Sequence, residues 1–385
     1  MTLSLALKQK GFNVIIVDPK NVKDLIGIDK RTTAVAEGPK NFYETIKVWE
    51  KVKKYAEPIK NINIKDGNSK IDLNFDCNVF KKIKNINSLG YVIENSHLLR
   101  GINSTIKNNK KIGTIKRIKA RVVSIDSDNF SSRVTLSNKK ILNCHLVVAS
   151  DGKNSISRKV MGIEAKKLSY KQKAFVCSII HTEKHNNVAL EKFLPGGPLA
   201  ILPMKNYKGK HRSSIIWSDE KEISESRYFA SKNNLPMIEH EIGLHCKEWL
   251  GNVKLVGLKA LFPLELTLPK SLVGNRFILM GDAAHSIHPI AGQGFNLTIR
   301  DIKIFVSECY KRKELGLDIG SKIFLDNYER KRMLDVNSLV RATHALNKLF
   351  ENKSFPIKIL RRTGLSMVEK SNLMKKYFMK YAMGI

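Results

Sequence analysis

At 385 residues, 42% of them hydrophobic, the chain is long enough to bury a large core and to form more than one domain. Its formal net charge of +33 raises nucleic acid and anionic membranes as partners, but the lysines run along the whole chain beside abundant Asn and Ile and no nucleic-acid motif accompanies them, which leaves only a weak attraction to anionic headgroups. Five scattered cysteines without a C-x-x-C pair argue against a disulfide framework or a zinc site and fit a reducing, cytoplasmic setting, and no apolar run reaches the roughly 18 residues of a spanning helix.

Residues 1–18 read as helix, turn and strand. Leu3, Leu5 and Leu7 form an apolar helical end, Gly11 suits the position after the helix, and Val14 to Val17 make a buried strand closed by Asp18 and Pro19. This is the second half of a dinucleotide-binding βαβ unit, in which the acid ending the second strand lies about 20 residues beyond the glycine turn and holds a ribose hydroxyl. Counting back from Asp18 puts that turn at or before residue 1. The chain is therefore expected to begin inside the nucleotide domain, with the sheet lacking its first strand and the pyrophosphate lacking its helix dipole. An ordinary strand-ending turn is the competing reading of Asp18.

Residues 31–55 read as helix, with Phe42, Ile46, Trp49 and Val52 at helical spacing. Alternation from about 59 to 80, broken at Asp66-Gly67, predicts a hairpin. Helix is expected over 89–105, short strands from 120 to 150, and a strand-rich segment over 166–268 with helix only near 232–250. A last strand covers 276–281 and helix follows from about 292. The division expected is a discontinuous nucleotide-binding domain (1–58, 86–165 and 269–345), a β-sheet substrate domain (59–85 and 166–268) and a helical C-terminal region (346–385). The class is α/β with an α+β insertion.

The most informative segment runs from Arg276 to Leu297. An apolar strand ends at Gly281-Asp282, a tight loop follows, and Gly292-Gln293-Gly294 opens a helix. Glycine permits close backbone approach to a ligand, and the free N–H groups of a helix start favour an anion. A second segment, Asp151-Gly152 through Ser155 to Arg158, follows another buried strand. An isolated Asp-Gly is usually a turn.

Together the G-D-A-A-H, H-P and G-Q-G-x-N run and the D-G-x-x-S-x-x-R segment resemble the flavin aromatic hydroxylases of the p-hydroxybenzoate hydroxylase fold. Leu89-Gly-Tyr-Val-Ile-Glu-Asn95, the Phe193–Pro203 stretch, Tyr328–Arg332 and Leu346–Phe350 are similar to the ubiquinone-biosynthesis hydroxylases within that group. The resemblance implies a Rossmann-like FAD domain in which Asp282 holds the ribityl chain and Gly281, Gly292, Gln293, Gly294 and Asn296 bind and polarise the flavin. Asp151, Gly152 and Arg31 would hold its phosphates or ribityl chain, and Asn95 would lie on the flavin side. Pro289 would shape the ring-side wall, and His288 is a candidate beside the ring; His285 is assigned to packing or loop hydrogen bonding. Implied with FAD are NAD(P)H or a separate electron donor, O2, a C4a-hydroperoxyflavin as oxygen donor, and a polyprenyl phenol as substrate, with other ubiquinone-synthesis proteins as partners. No metal is implied: His240 and His245 are five apart, the wrong spacing for a shared helix face. A same-fold FAD reductase or oxidase and a non-catalytic member of a ubiquinone-synthesis complex are the alternatives.

From about Phe355 to Ile385 apolar residues recur among Lys358, Arg361, Arg362, Lys370, Lys375, Lys376 and Lys380. That mixture predicts either an interfacial helix on an anionic membrane face or a helix packed on the flavin domain.

Overall fold

The computed structural model describes residues 1–385 apart from 30, 68, 70, 71, 81–85, 109–112, 288–291 and 353. The chain opens with α1 (Thr2–Gln9) and β1 (Asn13–Val17), joined through Gly11 at φ 77°, and α2 (Val22–Ile28), capped reciprocally by Asn21 and Asp24. Next come β2 (Thr32–Ala36), α3 (Glu37–Thr45), α4 (Trp49–Val52), β3 (Glu57–Ile59), β4 (Asn61–Asp66), β5 (Asp72–Asp76), β6 (Gly90–Glu94) and α5 (Asn95–Asn108).

Two of these strands correct the sequence reading, which assigned 31–55 and 89–105 to helix. β2 runs antiparallel to β6, from Thr32 opposite Glu94 to Ala36 opposite Gly90, and β3 pairs with the other side of β6. β-Branched and aromatic residues in Thr32-Thr33 and Tyr91-Val92-Ile93 suit a pleat; the helical spacing farther on hid them. Gly90 is required here, because a Cβ on it would sit 2.7 Å from the Val35 carbonyl oxygen.

The middle of the chain holds β7 (Thr114–Ile118), β8 (Val122–Ser127), β9 (Ser132–Leu136), β10 (Ile141–Cys144), β11 (Val147–Ala149) and α6 (Ile156–Val160). β12 (Ala165–His181), β13 (Val188–Leu194), β14 (Gly197–Tyr207), β15 (Lys210–Glu220), α7 (Lys221–Asn233), α8 (Leu235–Leu250) and β16 (Val253–Pro269) follow. The chain ends with β17 (Val273–Gly274), β18 (Phe277–Leu279), α9 (Gln293–Glu314), α10 (Lys322–Glu351), α11 (Phe355–Lys370) and α12 (Asn372–Met383). α7 is a second correction, since only the region near 232–250 had been expected to be helical. Arg227 on α7 explains it: its guanidinium lies 3.7 Å from the Trp217 ring centroid and pairs with Asp219 and Glu241, so a polar segment becomes a lid on the sheet.

β1 pairs in parallel with β7, and β11 in parallel with β18; among the described residues these two ladders share no strand. Around them a core of Leu5, Tyr43, Trp49, Ile93, Ile278, Phe305 and Tyr328 joins α1, α3, α4, β6, β18, α9 and α10. The largest sheet has seven strands in the order β16-β12-β15-β14-β13-β4-β5. The early hairpin β4–β5 enters it through the parallel pairing of β4 with β13. On one face Phe175, Ile201, Ile215 and Trp217 pack against Ile238, Ile242 and Leu250 of α8, and burying each such side chain contributes about 1.5–3 kcal/mol. Alternation sends the other face toward the nucleotide-binding elements.

Candidate functional site

Between these two bodies lies a cavity of about 1460 Å³, larger than the roughly 300–1,000 Å³ of a single small-ligand site. One end is built from loops and helix starts, the other from the sheet and the C-terminal helices.

At the first end β18 stops at Leu279, and Gly281 just beyond it, at φ 66°, turns the chain sharply and leaves Asp282 exposed on the cavity wall. Gly292 begins α9 in the left-handed region at φ 60°, with no side chain capping the helix, so its first N–H groups face the cavity lined by Gln293, Gly294 and Phe295. Met1 and, from α1, Thr2 and Leu3 also line the wall.

Asn95 holds the opposite wall. Its amide donates to Asp29 at 3.0 Å, its carbonyl oxygen accepts from Thr33 Oγ1 at 2.5 Å, and its backbone N–H binds Arg31 O. Arg31 in turn makes a two-point pair with Asp29, both contacts 2.8 Å, and lies 5.7 Å from the Phe262 ring centroid. Burial pushes the Asp29 carboxyl up, but the hydrogen bonds from Arg31 and Asn95 outweigh it and hold it below the usual carboxylate range. The Asp29 bond, with a smaller contribution from Asp282, raises Arg31 above its already high value. Arg31 is therefore a fixed cation facing Asp282 across the cavity.

Other expected site residues serve the scaffold. The Asn296 amide is fully engaged with backbone: Oδ1 accepts from Ala36 N–H at 2.9 Å and Nδ2 donates to Ala34 O and Gly292 O. It clamps α9 to β2. Asp151 turns away to cap α6, accepting from Ser155 Oγ and Ser157 N–H, while Gly152, at φ 84° with open space where a Cβ would be, lines the cavity. Ser155 accepts from Arg158 N–H, and the buried Arg158 guanidinium donates to Ala283 O and Lys153 O. The D-G-x-x-S-x-x-R segment thus ties the Asp151 loop to the Asp282 loop. Asp18 sits at the end of β1, paired with Arg117 at 3.3 Å and bonded to Lys20 N–H, away from the cavity lining. His288 and Pro289 lie outside the described residues. His285 is buried against Asp301 at 2.5 Å, with Arg332 closing the network at 2.7 Å. No group of three or more His, Cys, Asp or Glu side chains suited to a metal ion occurs among the described residues.

At the second end the sheet presents Ile62, Ile64, Ala189, Glu191, Ala200, Leu202 and Ile216, and α10, α11 and α12 close the space with Leu346, Phe350, Leu365, Val368 and Phe378. Thr32 Oγ1 and Ser214 Oγ, 2.9 Å apart, stitch β2 to this sheet. Glu191 and the Thr32–Ser214 contact went unnoticed in the sequence; strand alternation marks Glu191 as facing the same side as Ala189 and Phe193, but nothing local says that this side is a cavity.

The donors left over fit FAD. Two helix starts and open glycines suit an anionic pyrophosphate, the unpaired Asp282 carboxylate suits ribityl hydroxyls, and Arg31 suits a negative charge on the ring. The FAD binding domain family matches residues 1–343. Ubiquinone hydroxylase UbiL of Rhodospirillum rubrum is 32% identical over 386 residues, covering 100% of this chain and 86% of its own length. The 3-demethoxyubiquinol 3-hydroxylase of Escherichia coli K12 is 26% identical, with 100% and 95% covered. In fold the chain is similar to the crystal structure of p-nitrophenol 4-monooxygenase PnpA from Pseudomonas putida DLL-E4, at TM-score 0.77 and 14% identity, with 98% of this chain and 93% of that one covered. With a cavity built to hold FAD and matches that span the chain, it belongs to the FAD binding domain family and, within it, to the FAD-dependent aromatic hydroxylases of ubiquinone biosynthesis.

Proposed function

We propose that the chain hydroxylates the ring of a polyprenylated phenol, holding the ring at the sheet face and the isoprenoid tail between α10, α11 and α12. The observation that carries this reading is the continuity of the cavity, polar where a flavin fits and apolar where a tail fits. Bound there, FAD would supply the oxygen-activating chemistry with O2, with electrons from NAD(P)H or a separate reductase. Asp282 and the starts of α1 and α9 bind the cofactor, Gly152 and Gly281 let backbone approach it, and Arg31 offsets negative charge beside it. Asn296, Arg158 and Asn95 keep those groups in place. The described apolar wall excludes water from the ring.

The tail has to come from a bilayer. α11 and α12 are anchored on one side by the buried Arg361–Asp66 pair at 2.6 Å, by Glu369 accepting from Asn74 N–H, and by Met379 and Met383. Elsewhere these helices expose Phe355, Ile359 and Leu373 beside Lys370 and Lys380. An anionic membrane surface fits that pattern, and no described helix is long and apolar enough to cross one. Packing on the protein is the alternative, and the contacts with Asp66 and Asn74 of the β4–β5 hairpin support it.

The test incubates the chain with FAD, 2-geranylphenol and labelled O2, with NADH, NADPH or dithionite as donor. One labelled oxygen atom in the ring of the product is expected; an unlabelled or unchanged phenol with every donor rejects the reading. Flotation with anionic and neutral liposomes tests the surface: binding to anionic liposomes should fall when Phe355 and Leu373 are changed to Asp.

A further inference from the structure

On the cavity face of the large sheet, side chains lie in rows across the strands. Pairing places Ala189 beside Ile62 and Leu202 beside Ser214, and this row touches β2 through the Thr32–Ser214 contact. The next row is Ile64, Glu191, Ala200 and Ile216. Beyond it Phe193 stacks on Phe350 of α10, with ring centroids 3.6 Å apart. Two residues along a strand advance about 6.7 Å, so Glu191 stands about one aromatic ring's width from the flavin-side row and as far from the aromatic wall.

Its setting is unusual for a carboxyl. The row neighbours are aliphatic, and no hydrogen bond or ion pair reaches Glu191 among the described residues. Among the described residues, the other ionisable groups at the cavity are Arg31, Asp282 and the Met1 α-amino group, which burial lowers to about 6, at the flavin end, and Arg361, Tyr377 and Tyr381 on the helices. Arg31 is held by Asp29 and Arg361 by Asp66, so neither cation is committed to Glu191. Burial alone pushes its carboxyl up to about 7. A polar group left without a partner in an apolar wall costs free energy unless a ligand satisfies it.

We infer that Glu191 receives the hydroxyl of the aromatic head in the sheet-side half of the cavity, and so sets which part of the ring faces the flavin. This rests on the phenol reading above. The carboxyl group binds the phenol O–H as acceptor, and the bond strengthens when the group is ionised. Ile64, Ala200 and Ile216 provide shape but no competing polar contact, so a ring lacking the hydroxyl finds nothing to fix its rotation.

The inference is tested by equilibrium binding of 2-geranylphenol and its methyl ether to the full chain with FAD in dilute detergent. Wild type is expected to hold the phenol about tenfold more tightly than the ether, the equivalent of roughly one good hydrogen bond. Glu191→Leu should lose that preference while binding the ether as wild type does, which shows the cavity intact. In wild type the preference should grow from pH 6 to pH 8; in Glu191→Gln it should stay flat, a readout that a merely structural role would not move. A Leu variant that keeps the preference, or a Gln variant that keeps the pH dependence, overturns the inference. If wild type binds both compounds equally, the inference falls and the phenol reading stands; if it binds neither, both fall.

Discussion

The two ends of the cavity solve opposite problems. At the flavin end polar side chains are abundant and most are engaged by the protein itself: Asn296 by the backbone of β2 and α9, Asn95 by Asp29 and Thr33, Asp151 by α6. What remains free is small in number, namely helix starts, glycine backbone and Asp282. At the sheet end polar groups are scarcer, and Glu191 has no partner among the described residues. One end preorganises its donors before any ligand arrives; the other leaves one polar group for the ligand to satisfy. A charged residue in this molecule is therefore informative by its partners more than by its type.

The comparison breaks most visibly if the support of the flavin end is removed. Arg332 and Asp301 are both about 4% exposed and 2.6 Å apart, and Asp301 also holds His285 in the loop that carries Asp282. Arg332→Ala leaves a buried carboxylate uncompensated and should cost about 3–5 kcal/mol of stability. Urea unfolding checks this, and an unchanged midpoint would show the network to be dispensable.

Asp282→Ala probes a free group at the same end. It should leave stability within about 0.5 kcal/mol, since no hydrogen bond among the described residues is lost, while FAD affinity falls by about 1.5–3 kcal/mol, or roughly tenfold to a hundredfold. Titration of FAD into the two proteins decides.

The smallest effect belongs to the sheet end. Because the folded value of Glu191 is raised from 4.5 to about 7, its contribution to stability is fully present below about pH 4.5 and is lost as pH rises through about 7. Discounted for water in the cavity, the loss is about 1–2 kcal/mol by pH 8. Glu191→Gln should therefore narrow the difference in urea midpoint between pH 5 and pH 8. An equal pH slope in both proteins would mean that Glu191 is solvated, and the contrast between the ends would weaken.

What the sequence determined by itself is the local part of the site. The run from Arg276 to Leu297 is contiguous, so strand, glycine turn and helix start follow from neighbouring residues, and the same holds for the Asp151–Arg158 loop, where Ser155 caps a helix three residues on. The β4–β5 hairpin was legible for the same reason, at Asp66-Gly67. Tertiary structure decided the rest. β2 and β6 are strands because each offers the other a ladder, although periodicity nearby favours helix. α7 is a helix because Trp217, Asp219 and Glu241 receive Arg227. Asn296 and Asp151 take on protein partners only when β2 and α6 arrive beside them. Glu191 faces a cavity because β4, from early in the chain, pairs with β13 and the C-terminal helices close over that face. A side chain's local pattern sets the side of the strand it points to, but its partners come from segments distant in sequence, and those partners decide whether a polar atom is consumed or left for a ligand.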